Sequence, residues 1–162
     1  MNEWRRLKKS FGYALAGIQY TVKTQRNMQI HVIVAILVLL SGFWLQIPRG
    51  DVLLVFFSVF LVLIMETINT AVEKVVDLAA NGKVHPLAKV AKDVAAGAVL
   101  FSAILAACTG FIVYAEPLWQ FVNGARIRLP LDERGGWPLI IVSALLVTFL
   151  LWIYVRRGKD NG

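Results

Sequence analysis

The sequence predicts an all-α membrane protein in which an N-terminal amphipathic helix precedes four transmembrane helices. Hydrophobic residues occupy 58% of the 162 positions and charged residues 17%, whereas water-soluble domains are about 45–50% apolar and about 25% charged. The apolar residues are also grouped into stretches close to the roughly 20 residues that a helix needs to cross a bilayer. This composition excludes a soluble domain and a disordered chain, and a single cysteine excludes an internal disulfide.

The first element is a helix predicted over about residues 3–25. Its apolar residues recur at spacings of three and four, with Arg and Lys on the other side, which is the pattern of an amphipathic helix. A basic amphipathic helix beside a membrane usually lies in the interface. The apolar positions are Trp4, Leu7, Phe11, Ala14, Leu15, Ile18 and Val22.

Four spans follow. Three stretches free of Asp, Glu, Lys and Arg have 21, 22 and 21 residues and are long enough to cross alone; they are residues 28–48, 94–115 and 135–155. A fourth, residues 52–65, has only 14, but the residues after it contain neither Gly nor Pro and favour helix up to Ala80. We therefore predict spans at about residues 29–48, 51–80, 86–115 and 137–155.

The distribution of basic residues predicts the orientation. Lys and Arg gather before the first span, between spans two and three, and after the fourth. Positive residues in short connections favour the cytoplasm, so both termini and residues 66–93 are expected to face inward from the plasma (inner) membrane. Arg126, Arg128 and Arg134 oppose this pattern but are offset by neighbouring acidic residues. The net charge of +7 marks the cytoplasmic side and needs no nucleic acid.

Acidic residues inside the second span are the strongest functional signal. Counting from Asp51 at the membrane edge, Glu66 lies about 22 Å into a hydrocarbon core of about 30 Å. At 100° per residue, Glu66, Asn69, Glu73 and Asp77 project within an arc of about 80°. Carboxylates within a membrane are costly and usually functional. The alternatives are a polar contact between helices or a water-facing stripe, and they stay open for Glu73 and Asp77 near the interface.

Charged residues also open the third span. Pro86, after His85, suits the first turn of a helix, which places Lys89, Lys92 and Asp93 on adjacent turns. Carboxylates that could bind a divalent cation, close to cations that could bind phosphate, suit phosphoryl transfer. Snorkelling of Lys89 and a local surface pair between Lys92 and Asp93 are the alternatives. The sequence contains no phosphate-loop, dinucleotide-binding, zinc-binding or serine-hydrolase motif.

The string Glu-x-x-Asn-Thr-Ala-x-Glu-x-x-x-Asp over residues 66–77, followed by Ala-Lys-Asp at residues 91–93, resembles the prokaryotic diacylglycerol kinase family, which includes the undecaprenol kinases. The resemblance extends over about residues 6–115. It implies a small homotrimeric membrane kinase with a surface helix and three spans per subunit and with sites shared between subunits. Such an enzyme transfers the γ-phosphate of MgATP to the hydroxyl of a membrane lipid, and the sequence leaves diacylglycerol and undecaprenol open as substrates.

The resemblance also implies residue roles. Glu66 corresponds to the general base, Asn69 to a residue that positions the reacting groups, and Glu73 to a ligand of Mg²⁺. Gln25 stands where many members carry a second metal-binding glutamate; its amide offers an oxygen but no charge. The residues implied on the nucleotide side are Asp77, Lys92 and Asp93, and those implied to contact ATP are Arg6, Tyr13 and His85.

Residues 116–162 have no counterpart in the three-span members. We therefore predict a lipid-kinase domain over residues 1–115, then an external segment and a fourth span that packs at the periphery. Two other functions stay open. With Gln25 in place of a carboxylate, the chain could be a non-catalytic lipid-binding or assembly protein on the same scaffold, and intramembrane carboxylates would also suit a small transporter subunit.

Overall fold

The computed structural model describes residues 3–124 and 136–160, with only the backbone described for residues 137 and 156–160. Most of these residues lie in five helices, and the last four of the five are long and apolar enough to cross a membrane. This confirms the all-α class and the four candidate spans. The helices are α1 (Glu3–Thr24), α2 (Arg26–Trp44), α3 (Arg49–Ala80), α4 (Pro86–Val122) and α5 (Gly136–Asp160).

Local backbone chemistry sets the helix ends. Gln25 separates α1 from α2 with an extended conformation, φ −100° and ψ 115°. Gln46 takes a left-handed conformation, φ 51°, and Pro48 then precedes α3, so α2 ends at Trp44 rather than near residue 48. Asn81 ends α3, also with a left-handed φ of 47°. At the start of α4, the backbone N–H of Leu87 donates to Nδ1 of His85 at 3.2 Å.

Helix α4 differs most from its prediction. It continues from residue 115 to Val122, so the first residues of the predicted external segment are helical. Pro117 lies inside the helix and has no N–H to give to the carbonyl of Val113, yet the helix continues on both sides. At 37 residues, α4 is about 55 Å long, more than a bilayer core needs. Arg126, Arg128 and Arg134, the basic residues that oppose the predicted orientation, lie outside the described residues.

The helices pack as two pairs with a shared core. Helix α3 packs most extensively on α4, and α5 packs on α2. The main core cluster joins all four of these helices and comprises Ala35, Leu39, Leu45, Ile47, Val52, Val55, Val59, Val113 and Leu139. A second cluster, called the elbow cluster below, lies where α1 meets α2 and comprises Val22, Met28, Val32 and Ile153. Many large apolar side chains on the remaining faces are exposed, as lipid contact requires.

Helix α1 has few contacts with the rest of the chain. Only Thr21 and Val22 are buried in it, at its C-terminal end. The apolar residues Trp4, Phe11 and Tyr13 are exposed. The helix is therefore attached to the bundle by its last turn, and its apolar side chains are available to another surface.

Candidate active site

The predicted polar stripe lies on α3 and becomes more exposed along the helix. Glu66 is 2% exposed and Asn69 is 6% exposed, Glu73 is partly buried, and Asp77 is exposed. Val55, Val59 and Val62, which are buried on the same helix, precede Glu66 at helical spacing. The stripe thus begins within the packed part of the bundle and ends near the C-terminus of α3.

Neighbouring hydroxyl groups on α3 are satisfied by the helix itself. Thr70 Oγ1 donates to the Glu66 carbonyl at 2.9 Å, and Thr67 Oγ1 donates to the Leu63 carbonyl at 2.8 Å, as threonines commonly do within apolar helices. Asn69 differs, because its Oδ1 is buried and has no hydrogen-bond partner among the described residues. A buried acceptor without a protein partner is open to a water molecule or an ion.

Glu73 contacts one candidate on its own helix, Asn69, and one that is distant in sequence, Gln25. Its Oε1 accepts from Asn69 Nδ2 at 3.2 Å, and its Oε2 accepts from Gln25 Nε2 at 3.4 Å. Gln25 lies 48 residues away in sequence and is itself the extended residue between α1 and α2. The structure therefore brings Gln25, Asn69 and Glu73 together.

A second contact joins α3 to α4. Lys92 Nζ donates to Asp77 Oδ1 at 2.5 Å, and the two side chains are 38% and 55% exposed. The sequence suggested Asp93 as a neighbour for Lys92, but in the structure Lys92 pairs with Asp77 instead. The Lys74 ammonium also lies 5.7 Å from the centre of the Tyr20 ring; this contact between α1 and α3 has no signal in the sequence.

The remaining candidates do not join the stripe within one chain. Arg6 lies 3.7 Å from Glu3 in an exposed pair, Tyr13 is 75% exposed, and His85 caps α4. Asp93 is exposed. Among the described residues, none of these four forms a hydrogen bond or ion pair with the stripe.

The residues around Glu73 carry oxygen atoms of the kind that a magnesium ion takes, while the amide nitrogens of Asn69 and Gln25 face Glu73 itself. The described residues contain no cluster of three or more His, Cys, Asp or Glu side chains. Glu73 nevertheless offers a carboxylate, and the amides of Asn69 and Gln25 each carry an oxygen. Mg²⁺ takes oxygen ligands and is usually held by one or two carboxylates, with substrate phosphates and water completing its shell. The buried, unpaired Oδ1 of Asn69 is consistent with such a ligand set.

An apolar cleft of about 480 Å³ lies between α2, α3 and α4. It is lined mainly by aliphatic side chains, and Val62 on its α3 wall precedes Glu66 by one helical turn. The Tyr114 hydroxyl, which also lines the cleft, donates to the Val38 carbonyl at 2.8 Å and so ties α4 to α2. Glu66 itself does not line the cleft, which reaches α3 residues up to Val62.

Together, the fold and this stripe define a helical membrane protein with acidic and amide groups beside an apolar cleft, which is the arrangement expected of an enzyme that modifies a lipid. The chain belongs to the prokaryotic diacylglycerol kinase family, whose model matches residues 12–114. It is therefore a lipid kinase of the diacylglycerol and undecaprenol kinase type. Membership in a kinase family implies a nucleotide phosphate donor.

Three relatives illustrate the similarity. A diacylglycerol kinase of Synechocystis is 42% identical over 120 residues, covering 72% of this chain and 69% of the relative. An undecaprenol kinase of Bacillus subtilis is 39% identical over 117 residues, covering 72% and 94%. A diacylglycerol kinase of Escherichia coli is 31% identical over 115 residues, covering 71% and 90%. No solved structure matches the chain. The similarity does not favour the non-catalytic alternative.

Proposed function

We propose that this protein transfers the γ-phosphate of ATP, in the presence of Mg²⁺, to the hydroxyl of a membrane lipid alcohol, either diacylglycerol or undecaprenol. The observation that carries the proposal is the Glu66 carboxyl group, which is 2% exposed and lies one helical turn from an apolar cleft. The Glu73 carboxylate follows two turns later on the same stripe. A lipid hydroxyl held at Glu66 would therefore be close to a phosphate held near Glu73.

Glu66 is the proposed general base. The lipid oxygen attacks the γ-phosphorus, the bond from that phosphorus to the β–γ bridging oxygen breaks, and ADP leaves. The hydroxyl proton passes to the Glu66 carboxylate. Asn69, three residues after Glu66 on the same stripe, carries an unpaired Oδ1 and is proposed to orient the reacting groups. Positioning and charge stabilisation supply most of the catalysis in phosphoryl transfer.

Glu73 is the proposed Mg²⁺ ligand, with Asn69 and Gln25 offering amide oxygens. When bound, the ion would neutralise charge on the phosphates. Gln25 supports this role because its side chain lies within hydrogen-bond distance of Glu73, although it adds no charge. The metal site would then depend on Glu73 for its protein-derived negative charge, and the phosphates would provide the rest.

Lys92, Asp77 and Asp93 form the proposed nucleotide side of the site, where α3 and α4 emerge from the apolar region. The salt bridge between Lys92 and Asp77 is partly exposed, so the ammonium group can exchange the carboxylate for a phosphate. Arg6, Tyr13 and His85 are the further proposed ATP contacts. Because Arg6 and Tyr13 lie on the weakly attached α1, we propose that they reach the nucleotide in a homotrimer whose subunits share sites.

The apolar cleft is the proposed place for the hydrocarbon of the lipid. Its aliphatic lining suits both diacylglycerol and undecaprenol, which each present one hydroxyl group at the end of a long apolar chain. We further propose that α1 lies in the membrane interface and that both termini and the site face the cytoplasm from the plasma membrane, since the basic residues are concentrated on that side.

The test is a lipid-phosphorylation assay with purified protein in mixed micelles, with ATP, Mg²⁺ and either diacylglycerol or undecaprenol. We expect one of these alcohols to be phosphorylated. Glu66→Gln should lower the turnover about 10²- to 10⁴-fold, the usual contribution of a general base. The control is Glu116→Gln, which removes an exposed carboxylate on α4 and should leave the turnover unchanged.

Two results would contradict the proposal. Wild-type turnover in a folded Glu66→Gln protein would show that Glu66 is not the base. Failure of the wild-type protein to phosphorylate either alcohol would reject both as substrates, and lipid binding without turnover would then support the non-catalytic alternative. Proton-coupled solute uptake in proteoliposomes would support a transporter instead.

A further inference from the structure

Helix α5 lies beyond the residues that the family matches, which end at residue 114, yet it is packed along α2. From residue 139 to residue 155, its buried and partly buried residues form a single stripe with spacings of three and four. The residues of this stripe are Leu139, Val142, Ser143, Leu146, Phe149, Leu150 and Ile153. The two ends of the stripe have different neighbours, because Leu139 belongs to the main core cluster and Ile153 to the elbow cluster.

The elbow cluster surrounds the junction between α1 and α2. Ile153 is 5% exposed and packs with Val22, the third residue before Gln25, and with Met28, the third residue after it. Phe149 and Leu150 pack against the same cluster. Helix α5 thus contacts both helices that meet at Gln25.

The position of Gln25 depends on this junction. Its backbone is extended, so its side chain is placed by the chain on either side and not by a continuous helix. The hydrogen bond from Gln25 Nε2 to Glu73 Oε2 is 3.4 Å long, near the upper limit for such a bond. A small displacement of the elbow would therefore break it, and the packing of Val22 and Met28 opposes that displacement.

We propose that α5 braces the elbow through Ile153 and thereby holds Gln25 at the Glu73 carboxylate. Ile153 is then a positioning residue for the Mg²⁺ and phosphate end of the site. Its bracing role rests on geometry alone, whereas its effect on Mg²⁺ rests on the proposed function. The fourth span would accordingly be part of the catalytic architecture and not a peripheral addition.

The experiment compares Ile153→Ala with Leu139→Ala, which truncates a fully buried residue at the opposite end of the same stripe. Amide hydrogen exchange over residues 22–29 in micelles reports the elbow directly. We expect exchange there to accelerate about tenfold in Ile153→Ala, because local opening becomes easier, and to remain near the wild-type rate in Leu139→Ala. Ile153→Val, which removes one methylene group, should restore most of the protection.

The second readout is the Mg²⁺ concentration that gives half-maximal lipid phosphorylation. We expect Ile153→Ala to raise it about 3- to 10-fold with little change in kcat, and to add nothing further in a Gln25→Ala background, since residues that act through one contact are not additive. Tyr154→Ala, at an exposed neighbour, should change neither readout.

The proposal and the proposed function fail in different ways. Equal elbow exchange in Ile153→Ala, Leu139→Ala and wild type would overturn the bracing role, whether or not the protein phosphorylates a lipid. An additive effect of Ile153→Ala on the Mg²⁺ requirement in the Gln25→Ala background would overturn the route through Gln25. If Ile153→Ala does not fold, Leu150→Ala, which truncates a partly buried residue packed against the same cluster, is compared with Leu139→Ala, and faster elbow exchange is again the expected result. Absence of lipid phosphorylation by the wild-type protein would instead reject the proposed function.

Discussion

The two halves of α3 use one helical face for different purposes. In the N-terminal half, residues 49–65, the buried positions include Val52, Val55 and Val59, which belong to the main core cluster. In the C-terminal half, residues 66–80, the buried positions are Glu66, Asn69 and Thr70. Helical periodicity continues through both halves, so the change lies in the chemistry of the side chains and not in the direction they face.

This difference indicates that the two halves contribute to different properties. The valines pack closely against α2, α4 and α5, and such packing stabilises helix association in a membrane. Glu66 and Asn69 contribute no more to packing than apolar residues of similar size would, and burying their polar groups costs free energy. Substitutions in the C-terminal half should therefore affect phosphoryl transfer and its Mg²⁺ requirement. Substitutions in the N-terminal half should affect stability and, where the residue lines the apolar cleft, lipid binding, but not the Mg²⁺ requirement. Among the substitutions that test this division, Glu66→Gln should have the largest effect, which is the loss of turnover given above.

The next largest effect is expected from Glu73→Gln, which removes a charge and keeps the size of the side chain. We expect the Mg²⁺ concentration for half-maximal lipid phosphorylation to rise about 10- to 100-fold, because the charge of the ligands sets affinity for divalent cations. The measurement is a Mg²⁺ titration of the turnover. Asp51→Asn, at the other end of α3, is the matched control, and an unchanged titration in Glu73→Gln would remove Glu73 from the metal site.

Gln25→Glu adds a negative charge beside Glu73, whereas Glu73→Gln removes one, so the two substitutions should shift the Mg²⁺ requirement in opposite directions. The added carboxylate would lie within hydrogen-bond distance of Glu73, so a bound cation would be needed to balance the two charges. We expect the Mg²⁺ requirement to fall several-fold and the protein without Mg²⁺ to unfold at a lower temperature. A Mg²⁺ titration of the turnover measures the first effect, and thermal unfolding with and without Mg²⁺ measures the second. A titration and an unfolding temperature equal to those of the wild type would contradict the prediction.

Val55→Ala tests the N-terminal half. We expect the protein to lose about 1–2 kcal/mol of stability, less than many buried truncations in water-soluble proteins, because the unfolded chain in a micelle still contacts apolar tails and mainly the cavity cost remains. The Mg²⁺ titration should not change. Leu53→Ala, at an exposed position two residues away, serves as the control. A shifted titration in Val55→Ala would show that the two halves are not separable.

The smallest effect on stability is expected where α3 leaves the apolar region. Asp77→Asn breaks the salt bridge with Lys92, but both side chains are partly exposed, and exposed ion pairs contribute about 0–1 kcal/mol. A double-mutant cycle with Lys92→Met, followed by thermal unfolding, measures the coupling. A coupling well above 1 kcal/mol would mean that this pair holds α3 and α4 together, and the functional division of the stripe would then need revision.

The sequence predicted the helical fold well because membrane spans follow from local composition. Long apolar stretches located all four spans, and the stripe of Glu66, Asn69, Glu73 and Asp77 followed from helical periodicity alone. The errors occurred at the ends. Gln46 and Pro48 end α2 early, and α4 passes through Pro117, because such boundaries depend on backbone conformation and neighbouring contacts more than on hydropathy.

The site was predicted less completely. The contact of Gln25 with Glu73 depends on how α1 and α3 come together. Likewise, Lys92 pairs with Asp77, and not with its neighbour Asp93, because of how α3 and α4 come together. Arg6 and Tyr13 were proposed from resemblance and remain proposals, since within one chain they lie away from the stripe.

By itself, the sequence determined that this protein is a bundle of apolar helices with acidic groups placed inside one of them, because hydropathy and helical periodicity are local properties of the chain. Only the tertiary structure decided which distant residues meet those groups, and that α5 reaches the elbow beside Gln25. Such contacts depend on the relative placement of helices, which is set by packing along their whole lengths.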